Sequence, residues 1–235
     1  MKAERLAKLR ELTIKLNLEL ETWKTFNEAL THRTYVTENP AKGLNDNQRL
    51  EFLGDAILGM IIAEYLFTVY QDKTEGDLTR MRAAVVCEQA LGNQATQLKL
   101  GEYLLLGKGE ELTGGRERIS NLADAVEAII GAVYLELGLD ITRKLILQLL
   151  TGEIEMVAKG GYRDYKTMLQ ELIHRLYGDV VSYEILKESG PDHQKFYEAG
   201  VFLKGQLLAK GSGKSKKEAE QQAADKALKI LNDKK

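Results

Sequence analysis

The sequence predicts two domains: an all-α unit over residues 1–158 and a smaller α+β module over residues 162–235, joined by a flexible linker at 159–161. Three observations carry this division. Apolar residues recur at helical spacing through the first 158 positions. Lys159-Gly160-Gly161 then interrupts the pattern, and beyond it β-branched and aromatic residues alternate with polar ones.

Leu6, Leu9, Leu12 and Ile14 open the helical pattern, and Leu50, Leu53, Ile57, Leu58, Ile61 and Ile62 continue it at the three-and-four spacing that lines one side of a helix. Breaks are expected at Asn39–Gly43, Gly107–Gly115 and Leu137–Asp140, each rich in residues that stop helices. After the Gly-Gly joint, Tyr165–Leu176 reads as a helix and Val180–Glu188, Lys195–Phe202 and Gln206–Gly211 as strands. The last element, Ser215–Leu231, places Ala219, Ala223, Ala224 and Leu228 on one helical face. The resulting order, α-β-β-β-α, is a three-stranded meander flanked by two helices. Phe196, Tyr197 and Phe202 alternate as core residues of such strands would.

Composition excludes several classes. At 235 residues with 44% hydrophobic and 29% charged residues and 2 prolines, the chain is neither disordered nor collagenous. One cysteine, Cys87, rules out a disulfide framework and a cysteine-rich metal cluster; its apolar surroundings read as core. The longest charge-free apolar run, Ala56–Ala63, falls far short of the roughly 20 residues that span a bilayer, so no membrane segment is expected. The first twenty residues alternate charge with leucine and show no secretory signal, which makes the cytoplasm the expected location.

The net charge of −2 hides an asymmetry: residues 1–163 hold 20 Lys and Arg against 24 Asp and Glu, and the remainder is net positive. Lys204–Lys217 holds five lysines and no acid. That run is either a solvated loop or a surface for a polyanion.

Two carboxylate pairs stand out. Glu51 and Asp55 lie four residues apart on one helix face whose continuation, Leu58, Gly59 and Ile62, is apolar, so they form an isolated polar spot rather than a solvent stripe. Asp124 and Glu127, three apart, repeat the arrangement, with Ser120 as the expected N-cap of their helix. If the two helices pack together, four acids converge, and oxygen-only ligation suits Mg²⁺, with Mn²⁺ as a substitute. Structural ion pairs with arginines such as Arg49 are the alternative.

Four runs, ALTHRTY at Ala29–Tyr35, NQRLEFLGDAIL at Asn47–Leu58, EGDLTRMRAAVV at Glu75–Val86 and GKGEELTGGRERISNLADAVEAIIGAVYLE at Gly107–Glu136, occur in family order ahead of a C-terminal module. In these the chain resembles bacterial ribonuclease III from about Thr22 to its end. The resemblance implies a metal-dependent endoribonuclease acting on double-stranded RNA as a homodimer, which leaves short 3′ overhangs. It also implies that Glu51, Asp55, Asp124 and Glu127 are the metal-binding carboxylates, with Asp55 and Glu127 catalytic. Glu75 matches a family acid near the dimer-related cleavage centre. Gln48 stands where the family usually has Glu, which removes a charge from dimer contacts or choice of cleavage position while keeping hydrogen-bonding reach.

Residues 162–231 resemble a double-stranded RNA-binding domain. By that resemblance Thr167, Gln170 and Glu171 meet one minor groove and Pro191, Asp192, His193 and Gln194 the next. Lys214, Lys216 and Lys217 hold the phosphates between, beside a helix N-terminus. Glu220 replaces a lysine that many such domains carry, which weakens phosphate binding. Glu171 and His174 form a Glu-x-x-His spacing, but a di-iron bundle needs two. Two rival functions remain for the chain: a catalytically silent RNA-binding factor, and a metal-dependent all-α hydrolase of small nucleotides, which would have no use for an extended phosphate-reading module.

Overall fold

The computed structural model describes residues 1–159, 165–190 and 195–232. Gly160 and Gly161 of the expected linker, and the expected RNA-facing residues Pro191, Asp192, His193 and Gln194, lie outside the described residues. The chain divides into two compact units, Met1–Gly161 and Tyr162–Lys235.

The first unit is helical: α1 (Ala3–Lys15), α2 (Lys24–Ala29), α3 (Arg33–Glu38), α4 (Gln48–Val69), α5 (Glu75–Val85), α6 (Glu88–Gln97), α7 (Lys108–Leu112) and α8 (Ile119–Ala158). The Asn39–Gly43 break is a 3₁₀ turn that ends on Gly43 in the left-handed region, at φ 58°. Gly107–Gly115 contains the short α7 rather than a plain loop. At Leu137–Asp140 the break is a kink: Gly138, at φ 78° and ψ −179°, interrupts α8, and the helix resumes on either side.

The core forms around the α4–α8 pair. Leu58, Ile61, Ile62 and Leu66 of α4 are fully buried against Ala125, Ala128, Ile130 and Val133 of α8. Fully burying such a side chain is worth about 1.5–3 kcal/mol each. The two helices meet at glycines. A Cβ at Gly54 would collide with the Glu127 carbonyl oxygen, and one at Gly131 with that of Leu50. An ion pair from Arg143 to Glu64, at 2.6 Å, ties the same helices further along.

Two expectations change here. α4 is long and apolar enough to cross a membrane by length and composition, contrary to the run-length argument, because isolated acids do not cancel its leucines and isoleucines. Its buried face packs into this core, while Phe52, Met60, Phe67 and Val69 remain exposed. Cys87 is half-buried at the N-cap of α6 in extended conformation rather than in the core.

The second unit comprises α9 (Tyr165–Tyr177), β1 (Val181–Ser189), β2 (Phe196–Leu203), β3 (Gln206–Gly213) and α10 (Lys216–Asn232). Its sheet is antiparallel in the order β1-β2-β3. Lys204 and Gly205, both at positive φ, form the two-residue turn between β2 and β3, as a tight hairpin requires. Leu169, Leu172 and Ile173 pack with Ala223, Ala224, Ala227 and Leu228 onto Val201 and Ala209. Gly211 lets α10 lie directly on β3, since a Cβ there would strike the backbone N of Ala223. Phe196 and Phe202 are not part of this core. Phe196 is exposed, and Phe202 lies beside Gly200 with Leu186 and Leu207, on a patch that includes none of the buried core residues. Small Ala and Val residues fill the centre of the face under the helices, with Tyr183 of β1 packed against them.

Candidate active site and nucleic-acid interface

The glycine contact between α4 and α8 sets the site. Because Gly54 touches the Glu127 backbone, Glu51 and Asp55 of α4 flank the point where Asp124 and Glu127 of α8 arrive. Carboxylate oxygens of Glu51, Asp124 and Glu127 all lie within 4.8 Å of one another. Asp55, one turn further along α4 and more exposed, stands outside that tight trio, yet its charge acts on Glu127.

Crowded acids lose their charge first. Burial, then the charges of Asp55, Glu51 and Asp124, push the Glu127 carboxyl up to about 8. Burial, then Asp124, Asp46 and Asp55, raise Glu51; burial and then Glu88 raise Asp124, with His32 opposing. Among the described residues none of the four acids forms an ion pair with Lys or Arg, and Arg49 is exposed and pairs with none of them. Structural ion pairing with Arg49 therefore does not account for the cluster. An all-oxygen donor set without cationic partners fits Mg²⁺ or Mn²⁺.

A cleft of about 360 Å³ adjoins the cluster, lined by Glu51 and Asp124 together with His32, Arg33, Asn47, Gln48, Glu110, Arg118, Ser120 and Asn121. His32 N–H donates to the Leu105 carbonyl and Asn47 N–H to that of Thr31, which pins the α2–α3 corner to the start of α4. His32 Nδ1 accepts from Thr34 N–H, and burial lowers the ring's pKa. α8 begins one residue before Ser120, at Ile119 with Arg118 as N-cap, so Ser120 does not cap it. Its N-terminus is fixed instead by Glu110, which ion-pairs with Arg118 and accepts from Asn121 Nδ2 at 2.8 Å, while Asn121 also donates to the Gly115 carbonyl at 3.0 Å. Glu75 lies in the exposed first turn of α5, where it accepts from Thr79, outside this cleft.

In the second unit Thr167 and Glu171 sit on the exposed face of α9. Gln170 braces the start of β1, its Oε1 accepting from Val181 N–H at 3.1 Å and its amide donating to the Asp179 carbonyl. Lys214, Lys216 and Lys217 are exposed around the N-terminus of α10. Ser215 and Glu218 brace that end, Ser215 Oγ accepting from Glu218 N–H and the Glu218 carboxylate from Lys214 N–H. Lys216 rests 5.8 Å above the Tyr197 ring. Glu220 has a partner: it ion-pairs with Lys166 at 2.6 Å and so clamps α10 to α9.

The family model described as Ribonuclease-III-like matches residues 23–154, and the double-stranded RNA binding motif matches residues 165–231. The chain belongs to the ribonuclease III family. "Ribonuclease 3" of Syntrophomonas wolfei is 54% identical over 200 residues, 85% of each chain. That of Bacillus licheniformis is 45% identical over 227 residues, 97% of this chain and 90% of the relative. Among solved structures, the nuclease domain of ribonuclease III from Campylobacter jejuni superposes with a TM-score of 0.57 at 38% identity, covering 61% of this chain and 96% of that one.

Ribonuclease III membership makes the chain an endoribonuclease, a hydrolase, and removes the silent-factor and small-nucleotide readings. It also frames what spacing missed. His32, Glu110, Arg118 and Asn121 lie outside the two acid pairs in sequence, yet all four line the cleft. Their signal lies in the ALTHRTY and GKGEELTGGRERISN runs, which between them hold all four.

Proposed function

We propose that this chain hydrolyses phosphodiester bonds in double-stranded RNA with divalent ions, Mg²⁺ or in substitution Mn²⁺, held by Glu51, Asp55, Asp124 and Glu127, giving 5′-phosphate and 3′-hydroxyl ends. The observation that carries it is the trio of carboxylates within 4.8 Å that form no ion pair with Lys or Arg among the described residues. When bound, such an ion supplies an activated water and charge stabilisation at the phosphate. Glu51 and Asp124 supply ligand oxygens from opposite helices. Asp55 and Glu127 complete the ligand set and would position the attacking water. Glu110 fixes the start of α8 through Arg118 and Asn121.

In the second unit Thr167 and Glu171 meet a minor groove, Gln170 reaches it with its second amide N–H, Pro191 and His193 probe the next, and Lys214, Lys216 and Lys217 hold phosphates. The protein works as a homodimer in the cytoplasm. Phe52, 79% exposed, and Phe67, 74% exposed, lie with Met60 along one side of α4, and Tyr134, Leu135 and Leu139 are exposed on α8; this much apolar surface calls for a second copy. The Campylobacter jejuni nuclease domain likewise has a region involved in dimer formation. Gln48 and Glu75 belong near the cleavage centre that the two copies build, and ribosomal, messenger and small RNA precursors are the substrates.

The test is incubation of a long RNA duplex with Mg²⁺ and with EDTA, followed by mapping of the ends. Discrete fragments with 5′-phosphate in Mg²⁺ alone support the reading. Cleavage in EDTA, or 3′-phosphate ends, contradicts it.

A further inference from the structure

A second cleft in the first unit shares no lining residue with the cleft at the carboxylate site. It measures about 1250 Å³ and opens between α1, α2 and the Gly43–Asn45 segment that follows the 3₁₀ turn. Six cations line it, Lys2, Arg5, Lys8, Lys24, Lys42 and Arg116, against three acids, Glu4, Glu28 and Glu102, in a unit that is otherwise net negative. The ammonium groups of Lys2, Lys8 and Lys24 make no ion pair or hydrogen bond among the described residues. Lys42 instead caps Tyr35, donating to its hydroxyl at 2.7 Å.

Arg5 is the informative residue. Its Nε donates to Asn27 Oδ1 at 2.7 Å and its Nη1 to the Tyr103 carbonyl, so two edges of the guanidinium are held from behind. Its Nη2 is buried and has no hydrogen-bond partner among the described residues. Burial lowers the pKa of Arg5 to about 10, with Tyr35 opposing the shift and the charge of Arg116 adding to it. Arg116 is itself held by the Gly101 and Leu104 carbonyls and by Glu111. Two guanidinium groups kept close, one with an unsatisfied buried edge and no carboxylate bound to it, are arranged for an anion.

We propose that this cleft binds a nucleoside phosphate, its phosphate on Arg5 and Arg116 with Lys8 and Lys24 at the mouth, and its sugar and base along Leu44, Leu104 and Leu105. A small turn of the Arg5 guanidinium on ligand entry gives Nη2 its acceptor. A planar fork matches phosphate oxygens in pairs, which a lone ammonium does not. The concave shape selects the occupant. A rigid duplex carries its phosphates on a convex surface and stays outside, whereas a free nucleotide, or the 5′-phosphate end of an unpaired strand, enters.

Calorimetric titration of the full chain in EDTA tests the proposal, since chelation keeps phosphates from being drawn to the carboxylates through a metal. The probes are ADP, a 5′-phosphorylated pentanucleotide and the same pentanucleotide with a 5′-hydroxyl. Binding of ADP identifies a free nucleotide as the source. Binding of the phosphorylated oligonucleotide without ADP or the hydroxyl form identifies a strand end. In either case Lys8→Glu with Lys24→Glu weakens binding by about tenfold or more, and Lys216→Ala with Lys217→Ala leaves it unchanged. Arg5→Lys, which keeps the charge and loses the fork, carries the test if circular dichroism shows the double reversal unfolded. The proposal is overturned if no probe binds at about millimolar concentration, if the cleft variants bind like wild type, or if the loss follows Lys216 and Lys217 instead.

Discussion

Glu127 holds a proton to about pH 8 in the folded chain, against an ordinary glutamate value of 4.5 in the unfolded one. Between those values the folded state carries a proton that the unfolded state has released, so the metal-free protein loses stability as pH rises from about 4.5 toward about 8. Glu51 and Asp124 are raised as well and act in the same direction. Thermal melts in EDTA across pH 5 to 8 should therefore fall more steeply for wild type than for Glu127→Gln, and added Mg²⁺ should stabilise wild type more at pH 8 than at pH 6. Parallel curves for the two proteins would show that Glu127 carries no raised proton affinity. At this scale the sequence was informative about identity and silent about degree. The i, i+4 and i, i+3 pairs named all four acids, but nothing in their spacing said that three would crowd within 4.8 Å while Asp55 stood apart, because that depends on how two helices cross. His32 was invisible for the same reason, being brought in by a backbone hydrogen bond to Leu105.

The crossing of α4 and α8 depends on Gly54 and Gly131, both within otherwise apolar helices. Gly54→Ala places a methyl against the Glu127 carbonyl and forces the helices apart. It should lower stability by about 1–3 kcal/mol and abolish most cleavage with every carboxylate still present. Unchanged melting and cleavage would mean that the helices tolerate a wider spacing. Helical periodicity made each helix legible, yet a glycine in an apolar stripe does not announce which backbone it touches. The Lys166–Glu220 clamp makes a second case. From sequence Glu220 looked like a loss of phosphate binding, and in the fold it ties α10 to α9. Glu220→Gln should weaken the second unit by up to about 1 kcal/mol, the range of a partly exposed pair, read as the shift in a urea melt of residues 162–235. Strands β1 to β3 were placed to within two residues of their ends. The aromatic positions were misassigned because alternation identifies two faces without saying which one the helices cover.

At the level of the whole chain, two compact units imply separable tasks: chemistry in the helical unit and duplex affinity in the α+β unit. A fragment ending at Lys159 should fold, sediment as a dimer through its exposed α4 face, and cut duplex RNA poorly at physiological salt, where phosphate contacts supply much of the binding. A monomeric fragment would remove the dimer assignment. The division into units was legible because a Gly-Gly joint and a change of periodicity coincide, whereas the apolar surface on α4 emerged only once the core had been assigned its own side of that helix. Separating binding from chemistry at Glu127 is the most direct test of the carboxylate site. Duplex binding in Ca²⁺ and cleavage in Mg²⁺ are measured for wild type and Glu127→Gln, which keeps size and hydrogen bonding and removes one charge. Binding should match wild type, and cleavage should fall by on the order of a thousandfold, several kcal/mol of transition-state stabilisation. Near-normal cleavage, or an equal loss of both, would contradict the placing of Glu127 among the catalytic carboxylates.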